Sequence, residues 1–370
     1  MTLFEYIEKY GNKSFDEEKF NEVDNVILSL VSYIDLTDIV PKNKNVITLE
    51  EAANKFFRKY RERELRNNIF SIRSAIRLFR EIKDYKRYNS LKLHNYEKIV
   101  NENEQFGAVC IDIRDDLMYV SFEGTDEAVI GWKEDFQFAY KFPTPSQDDA
   151  IIYLEKVVGF KNKNIIVGGH SKGGNLALVS SLYGSFWVKN KIIKIYSNDG
   201  PGILKEQLES SAFSKIKDKY VHIVPHNSIV GVLLYNTNYK VISSHGLGIL
   251  GHDALSWEVD DTTFIRDELN KSSEDFRKSL ITWLEKYNEE ERKKCIDELF
   301  MTLEDNNINS LIDIKKEKLS SIYKIIKSSS KISLDSKKML SALFTLIFSD
   351  YSAIIKEKLG LKKWGMVYGR

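Results

Sequence analysis

The chain has 370 residues, 55 Lys+Arg against 54 Asp+Glu for a formal charge of +1, and 42% hydrophobic residues. That balance supplies no global field to draw in nucleic acid, and the length suits one large α/β core with helical additions, or two domains. The two cysteines, Cys110 and Cys295, fit neither a metal spacing nor a redox pair, so the expectation is a reducing, cytoplasmic setting and no metal or other cofactor.

The opening residues, Met1 to Tyr10, mix charges among apolar positions and do not read as a secretory signal. Residues 1–100 read as helical. Val23, Val26, Ile27, Leu30, Val31 and Ile34 recur at helical spacing, and Thr48-Leu49-Glu50-Glu51 has the form of a capping box opening a second helix. The charged run from Arg58 to Lys92 reads as a solvated helix face. At Gln105 the period changes: Phe106–Ile113 and Leu117–Phe122, joined by a short polar turn, predict a hairpin. Strand and helix signals then alternate. Helices are expected at Asp148–Val158, after Pro201-Gly202 and near Ile229–Leu234, and strands at Ile165–Val167, Lys191–Tyr196, Tyr220–Val224 and Tyr239–Ile242. The alternation predicts a mostly parallel sheet with helices on both faces.

After about residue 262 the strand signals stop. Residues 306–370 hold thirteen Lys/Arg against five Asp/Glu, read as amphipathic helices packed over the core or forming a cap. The alternative for this part is docking to an anionic lipid surface through Lys315, Lys316, Lys318, Lys324 and Lys327. The apolar stretch Met339–Phe348 is about half as long as a membrane span needs. Three segments result: helical residues 1–104, an α/β core over 105–262, and a helical extension over 263–370.

The most informative stretch is Gly168-Gly169-His170-Ser171-Lys172-Gly173-Gly174, which follows the apolar run Ile165-Ile166-Val167 and precedes a helix-like run. Strand, Gly-x-Ser-x-Gly and helix in that order project a serine hydroxyl above the sheet edge and aim free helix N–H groups at developing negative charge. Ser171 is therefore the candidate nucleophile. The base must come from six histidines. His94 precedes the sheet, His170 is directed away from Ser171, and His222 alternates within an apolar strand, which leaves His226, His245 and His252. His252 is preferred because Gly246, Gly248 and Gly251 make the preceding segment a loop able to return over Ser171. Asp199, just beyond the carboxyl end of a strand, is the candidate acid, with Asp253 the alternative. Oxyanion donors are expected at Lys172 and at Gly124-Thr125, with Trp132 and Asp135 lining or bracing the site.

Taken together, Phe122-Glu123-Gly124-Thr125-Asp126 with Trp132-Lys133-Glu134-Asp135, the segment Gly169 to Ala177, Ser197 to Gly202, Pro225 to Gly231 and His252 to Trp257 resemble the Mbeg1-like group of lipase-like α/β-hydrolases, itself similar to the class 3 lipases. The resemblance covers roughly residues 20–260. It implies an α/β-hydrolase fold and lipase or esterase chemistry with Ser171 as nucleophile and His252 as base. Two departures stand out. Class 3 lipases carry Arg where this chain has Glu123, and they draw their acid from the loop after the later strand, where the aligned residue here is Ser228.

The sequence thus predicts a serine hydrolase using Ser171, His252 and Asp199 on a carboxylic ester, of a small-molecule or lipid acyl substrate. Acyltransferase and thioesterase chemistry would use the same groups. The rival reading is an inactive α/β-hydrolase scaffold that binds a ligand or protein partner. A nucleic-acid partner is not expected.

Overall fold

The computed structural model describes residues 1–66, 70–101, 104–125, 129–159, 163–237, 239–246, 248–305, 324 and 333–341. Six helices open the chain: α1 (Leu3–Tyr10), α2 (Glu22–Val31), α3 (Leu49–Lys59), α4 (Glu62–Arg66), α5 (Phe70–Ile82) and α6 (Lys86–Asn89), with the short strand β1 (Ile47–Thr48) before α3. Capping boxes start α1 at Thr2, α2 at Asn21 and α3 at Thr48, each satisfying N–H groups that the first turn leaves without partners.

The sheet follows as β2 (Lys92–Val100), β3 (Gln105–Arg114), β4 (Leu117–Phe122), β5 (Asn164–His170), β6 (Ile192–Asn198), β7 (Tyr220–Pro225) and β8 (Lys240–Ile242). Its spatial order is the order of the chain, β1 to β8. Pairing is antiparallel from β1 to β4 and parallel from β4 to β8. Between parallel strands run α7 (Val129–Gln137), α8 (Pro145–Val158), α9 (Lys172–Tyr183), α10 (Phe186–Lys191), α11 (Lys205–Leu208) and α12 (Ser211–Ser214). A two-stranded ribbon, β9 (Val259–Asp260) with β10 (Thr263–Phe264), precedes α13 (Lys271–Lys286) and α14 (Glu289–Asp305).

The alternation of strand side chains explains why helices lie on both faces. Val109, Ile111, Tyr119, Ile166 and Tyr196 point to one side and pack with α1–α6; Ala108, Cys110, Met118, Val120, Ile165, Val167 and Ile195 point to the other and pack with α8 and α9. The first face is pinned by a fully buried ion pair, Arg87 Nη2 to Asp24 Oδ2 at 2.6 Å, with the Tyr88 hydroxyl donating to the same carboxylate. This is the α/β-hydrolase arrangement, a mostly parallel central sheet between two helical layers.

A third apolar cluster joins α13, α14 and residues Met339 and Leu340 to Phe138, Ala139 and the segment Ile229–Leu234. Those contact points follow α7 and β7, so α13 and α14 sit over loops at the carboxyl end of the parallel strands. Lys315, Lys316, Lys318 and Lys327 lie outside the described residues.

Three expectations change. Lys92–Val100 is a strand, not helix: Leu93, His94 and Tyr96 are buried, Glu97 and Lys98 are half-buried, and a bulge between His94 and Glu97 shifts the β2–β3 register. Ile229–Leu234 is an irregular segment, because its main chain is claimed by other elements, Gly231 N–H by Asp199 and the Leu233 carbonyl by the Gly202 N–H. The β9–β10 ribbon carries strand pairing past residue 262.

Candidate active site

Strand register sets the site. Phe122 of β4 pairs with Gly169 of β5, so Thr125 and Lys172, each three residues on, leave neighbouring strands at the same level. His170 of β5 pairs with Asn198 of β6, so Ser171 and Asp199 are likewise the next residues along adjacent strands. Asn198 in turn pairs with Ile223 of β7, which brings Ser228, in the loop beyond that strand, towards Asp199.

Ser171 sits at the N-terminus of α9 with φ 58° and ψ −133°, a left-handed conformation that is costly for a residue with a Cβ. The turn is tight enough that a Cβ on Gly173 would fall 2.2 Å from the Phe122 carbonyl oxygen. The Ser171 N–H donates to Asn198 O at 2.9 Å, while its hydroxyl has no hydrogen-bond partner among the described residues. That leaves the oxygen uncommitted.

Asp199 also has positive φ, 49°, and is fully buried. Its Oδ2 lies 2.6 Å from Nδ1 of His252; its Oδ1 accepts from the Ser228 hydroxyl and from the Gly231 N–H at 3.0 Å. Since a carboxylate only accepts, Nδ1 carries the proton of this bond, and in the neutral imidazole Nε2 then holds the lone pair. Asp253 is turned elsewhere: its carboxylate takes Ser74 Oγ at 3.0 Å and the Leu255 N–H at 3.2 Å, and burial raises its pKa. His245 is exposed, and His226 lies 3.6 Å from Asp267. No hydrogen bond joins Ser171 Oγ to His252; such contacts commonly tighten only as substrate fills a site.

His170 lies between two partners that sequence spacing does not reveal. Its Nε2 is 2.8 Å from the His252 carbonyl oxygen and its Nδ1 is 2.9 Å from the Tyr33 hydroxyl, contributed by the chain just after α2. Burial, and then the neighbouring His252, push its pKa down to about 3.

On the oxyanion side, the N–H groups of Thr125 and Lys172 have no acceptor among the described residues, as expected for a first helical turn at Lys172. Gly124 lets the chain pass the Tyr33 hydroxyl, where a Cβ would fall 1.9 Å away. Thr125 Oγ1 donates to Asp135 Oδ1 at 3.4 Å. Burial pushes the Asp135 carboxyl up to about 7, with the Lys172 charge opposing and Glu134 adding to the rise. Lys172 itself is fully buried, with Nζ 2.8 Å from Glu134 Oε2 and 2.6 Å from the Gln105 carbonyl oxygen. Glu123 is buried and paired with Lys98 at 2.8 Å, so the carboxylate that stands where class 3 lipases carry Arg is neutralised from β2. Asp126 and the side chain of Trp132 lie outside the described residues. Among the described residues, no group of three or more His, Cys, Asp or Glu is arranged to hold a metal ion.

The structure therefore brings Asp199, His252 and the Ser171 turn together, with Thr125 and Lys172 on adjacent strand ends. Sequence reasoning missed Tyr33, whose separation from His170 leaves no local signal, and the hydrogen bond by which the Ser228 hydroxyl holds the Asp199 carboxylate.

Among solved structures, the chain is similar to the crystal structure of M37 lipase, at 15% identity and TM-score 0.33, over 56% of this chain and 68% of that one. No curated protein matches the sequence. The family profile named Mbeg1-like matches residues 82–301, more than half of the chain, and the protein belongs to that family.

Proposed function

We propose that the protein is a serine hydrolase that cleaves a carboxylic ester with a hydrophobic or lipid acyl group. The observation that carries the reading is the buried Asp199–His252 hydrogen bond beside a serine held at positive φ at a strand-to-helix turn. In the proposed reaction, Ser171 Oγ bonds to the ester carbonyl carbon as its proton passes to His252 Nε2, and the carbonyl electron pair moves onto oxygen. The Thr125 and Lys172 N–H groups receive that oxyanion. Collapse of the intermediate breaks the bond to the alkoxy group, which leaves with the proton from His252; water, deprotonated by the same imidazole, then releases the acid. Asp199 holds Nδ1–H and stabilises the imidazolium.

Fluorophosphonate labelling tests the reading, together with turnover of short and long p-nitrophenyl esters. Labelling and turnover abolished by Ser171→Ala and His252→Ala are the expected result. Folded wild-type protein that neither labels nor turns over any ester would overturn it in favour of a binding scaffold. Among the described residues, no helix is long and apolar enough to cross a membrane.

A further inference from the structure

The residues between α9 and β6 show a surface that the proposed chemistry does not use. Phe186 and Trp187 open α10 with 69% and 70% of their surface exposed, their rings edge to face at 5.8 Å. Val188 is the only residue of α10 that is buried, so the helix is fastened by one side chain and turns its two aromatic rings to solvent. The Ser185 N–H, at its cap, is held by Glu155 of α8. Two more exposed aliphatic side chains stand on the adjoining elements, Ile193 at the start of β6 and Ile152 one turn before Glu155 on α8. Adjacent large apolar side chains left this open mark an interaction site, whereas scattered single ones do not.

Charge identifies the partner. From Tyr183 to Lys194 the chain carries Lys189, Lys191 and Lys194 and no acidic residue. Lys219 Nζ reaches the Lys189 carbonyl oxygen at 2.9 Å, which brings the neighbouring run Lys215, Lys217 and Lys219 to the same place. None of these six lysines forms an ion pair among the described residues, and Asp218 is the one acidic residue within that run. Protein interfaces deplete Lys at their centres, and base stacking has no use for exposed isoleucines. Tryptophan and phenylalanine with exposed isoleucines and flanking lysines that outnumber Glu155 and Asp218 match a lipid interface, where rings sit among headgroups and ammonium groups meet anionic phosphates.

We propose that α10 and its flanking lysines are a docking surface for an anionic lipid bilayer. The patch lies at the amino end of β6, and α9 spans about 18 Å between Ser171 and Tyr183, so docking holds the molecule by the end of the parallel strands opposite the site. The surface is therefore a tether, independent of whether Ser171 reacts.

The test is co-sedimentation of the full chain with vesicles of phosphatidylcholine alone and of phosphatidylcholine with phosphatidylglycerol. Wild type should bind the anionic vesicles roughly tenfold or more tightly than the neutral ones, with binding weakened by salt. Phe186→Ser with Trp187→Ser, and separately Lys189→Glu with Lys215→Glu, should each reduce that binding about tenfold while thermal unfolding is unchanged. Retained binding in both variants would overturn the proposal and move attachment to another surface. So would absence of vesicle binding by wild type, whether the same variants then abolish self-association or the retention of an oligonucleotide.

Discussion

His170 donates its Nε2–H to the carbonyl oxygen of His252 across 2.8 Å, and the two rings lie 4.5 Å apart between centroids. A carbonyl can only accept, so this bond fixes the tautomer of His170 and obliges Nδ1 to accept from the Tyr33 hydroxyl. With its pKa driven down to about 3, the ring stays neutral wherever the enzyme would work. It is a positioning residue for the loop that carries His252. His170→Ala should lower kcat roughly tenfold with KM little changed, and Tyr33→Phe should lower it less. The pH profile should show no inflection from His170 between about pH 5 and 9. An unchanged kcat in His170→Ala would refute the role.

Two side chains hold the His252 imidazole in place. Asp199 supplies the charge, and Ser228 and Gly231 hold the carboxylate from the next strand. Asp199→Asn keeps the shape but can offer an N–H to Nδ1, which turns the imidazole to the wrong tautomer. We expect kcat to fall by about 10³–10⁴. Ser228→Ala should cost only about tenfold, since the Gly231 N–H remains. Steady-state kinetics of the two variants side by side distinguish these outcomes.

Asp135 makes stability depend on pH. Its carboxyl has an ordinary value of 3.8 and stands at about 7 in the folded protein. Between those values the folded state holds a proton that the unfolded state has lost, so the contribution is complete below about pH 4 and disappears as pH rises through 7. Asp135→Asn keeps an acceptor for Thr125 and removes the titration. Its melting temperature, measured from about pH 5 to 9, should decline less steeply with pH than that of wild type. Parallel slopes would exclude Asp135 as the source.

Ser171 bears the strain of its turn. At φ 58° a glycine relaxes what a serine cannot, so Ser171→Gly should abolish fluorophosphonate labelling yet raise stability by about 1 kcal/mol in denaturant titration. A destabilised Ser171→Gly would show that the surrounding contacts, and not the backbone, set the cost of this position.

Much of the site could be read from residue order because its parts are local. The strand, Gly-x-Ser-x-Gly and helix run on without a break from Asn164 to Tyr183, and Asp199 and His252 stand next to glycines that mark strand ends and loops. What escaped reading is carried by long-range packing. Tyr33 meets His170 only because α2 lies across the sheet face formed by Tyr119 and Ile166. The strand at Lys92–Val100 is disguised by His94, Glu97 and Lys98, whose polar ends are answered by partners distant in sequence, Asp112 for His94, Lys156 for Glu97 and Glu123 for Lys98. The apolar run Ile229–Leu234 imitates a helix because it must satisfy α13 and α14 on one side while its backbone serves Asp199 and Gly202 on the other.

The face of the sheet covered by α1–α6 sets apart two kinds of boundary. The family profile's match starts at residue 82, yet Val109, Ile111, Tyr119, Ile166 and Tyr196 have apolar partners in the residues before it, among them Val23, Val26, Ile27 and Leu30. Cutting the gene at residue 82 would strip that face of the sheet of its apolar partners and remove Tyr33 with them. The boundary of the family profile is thus not the boundary of the packed core, and whoever trims this protein for crystallisation or for fusion should keep the residues before it.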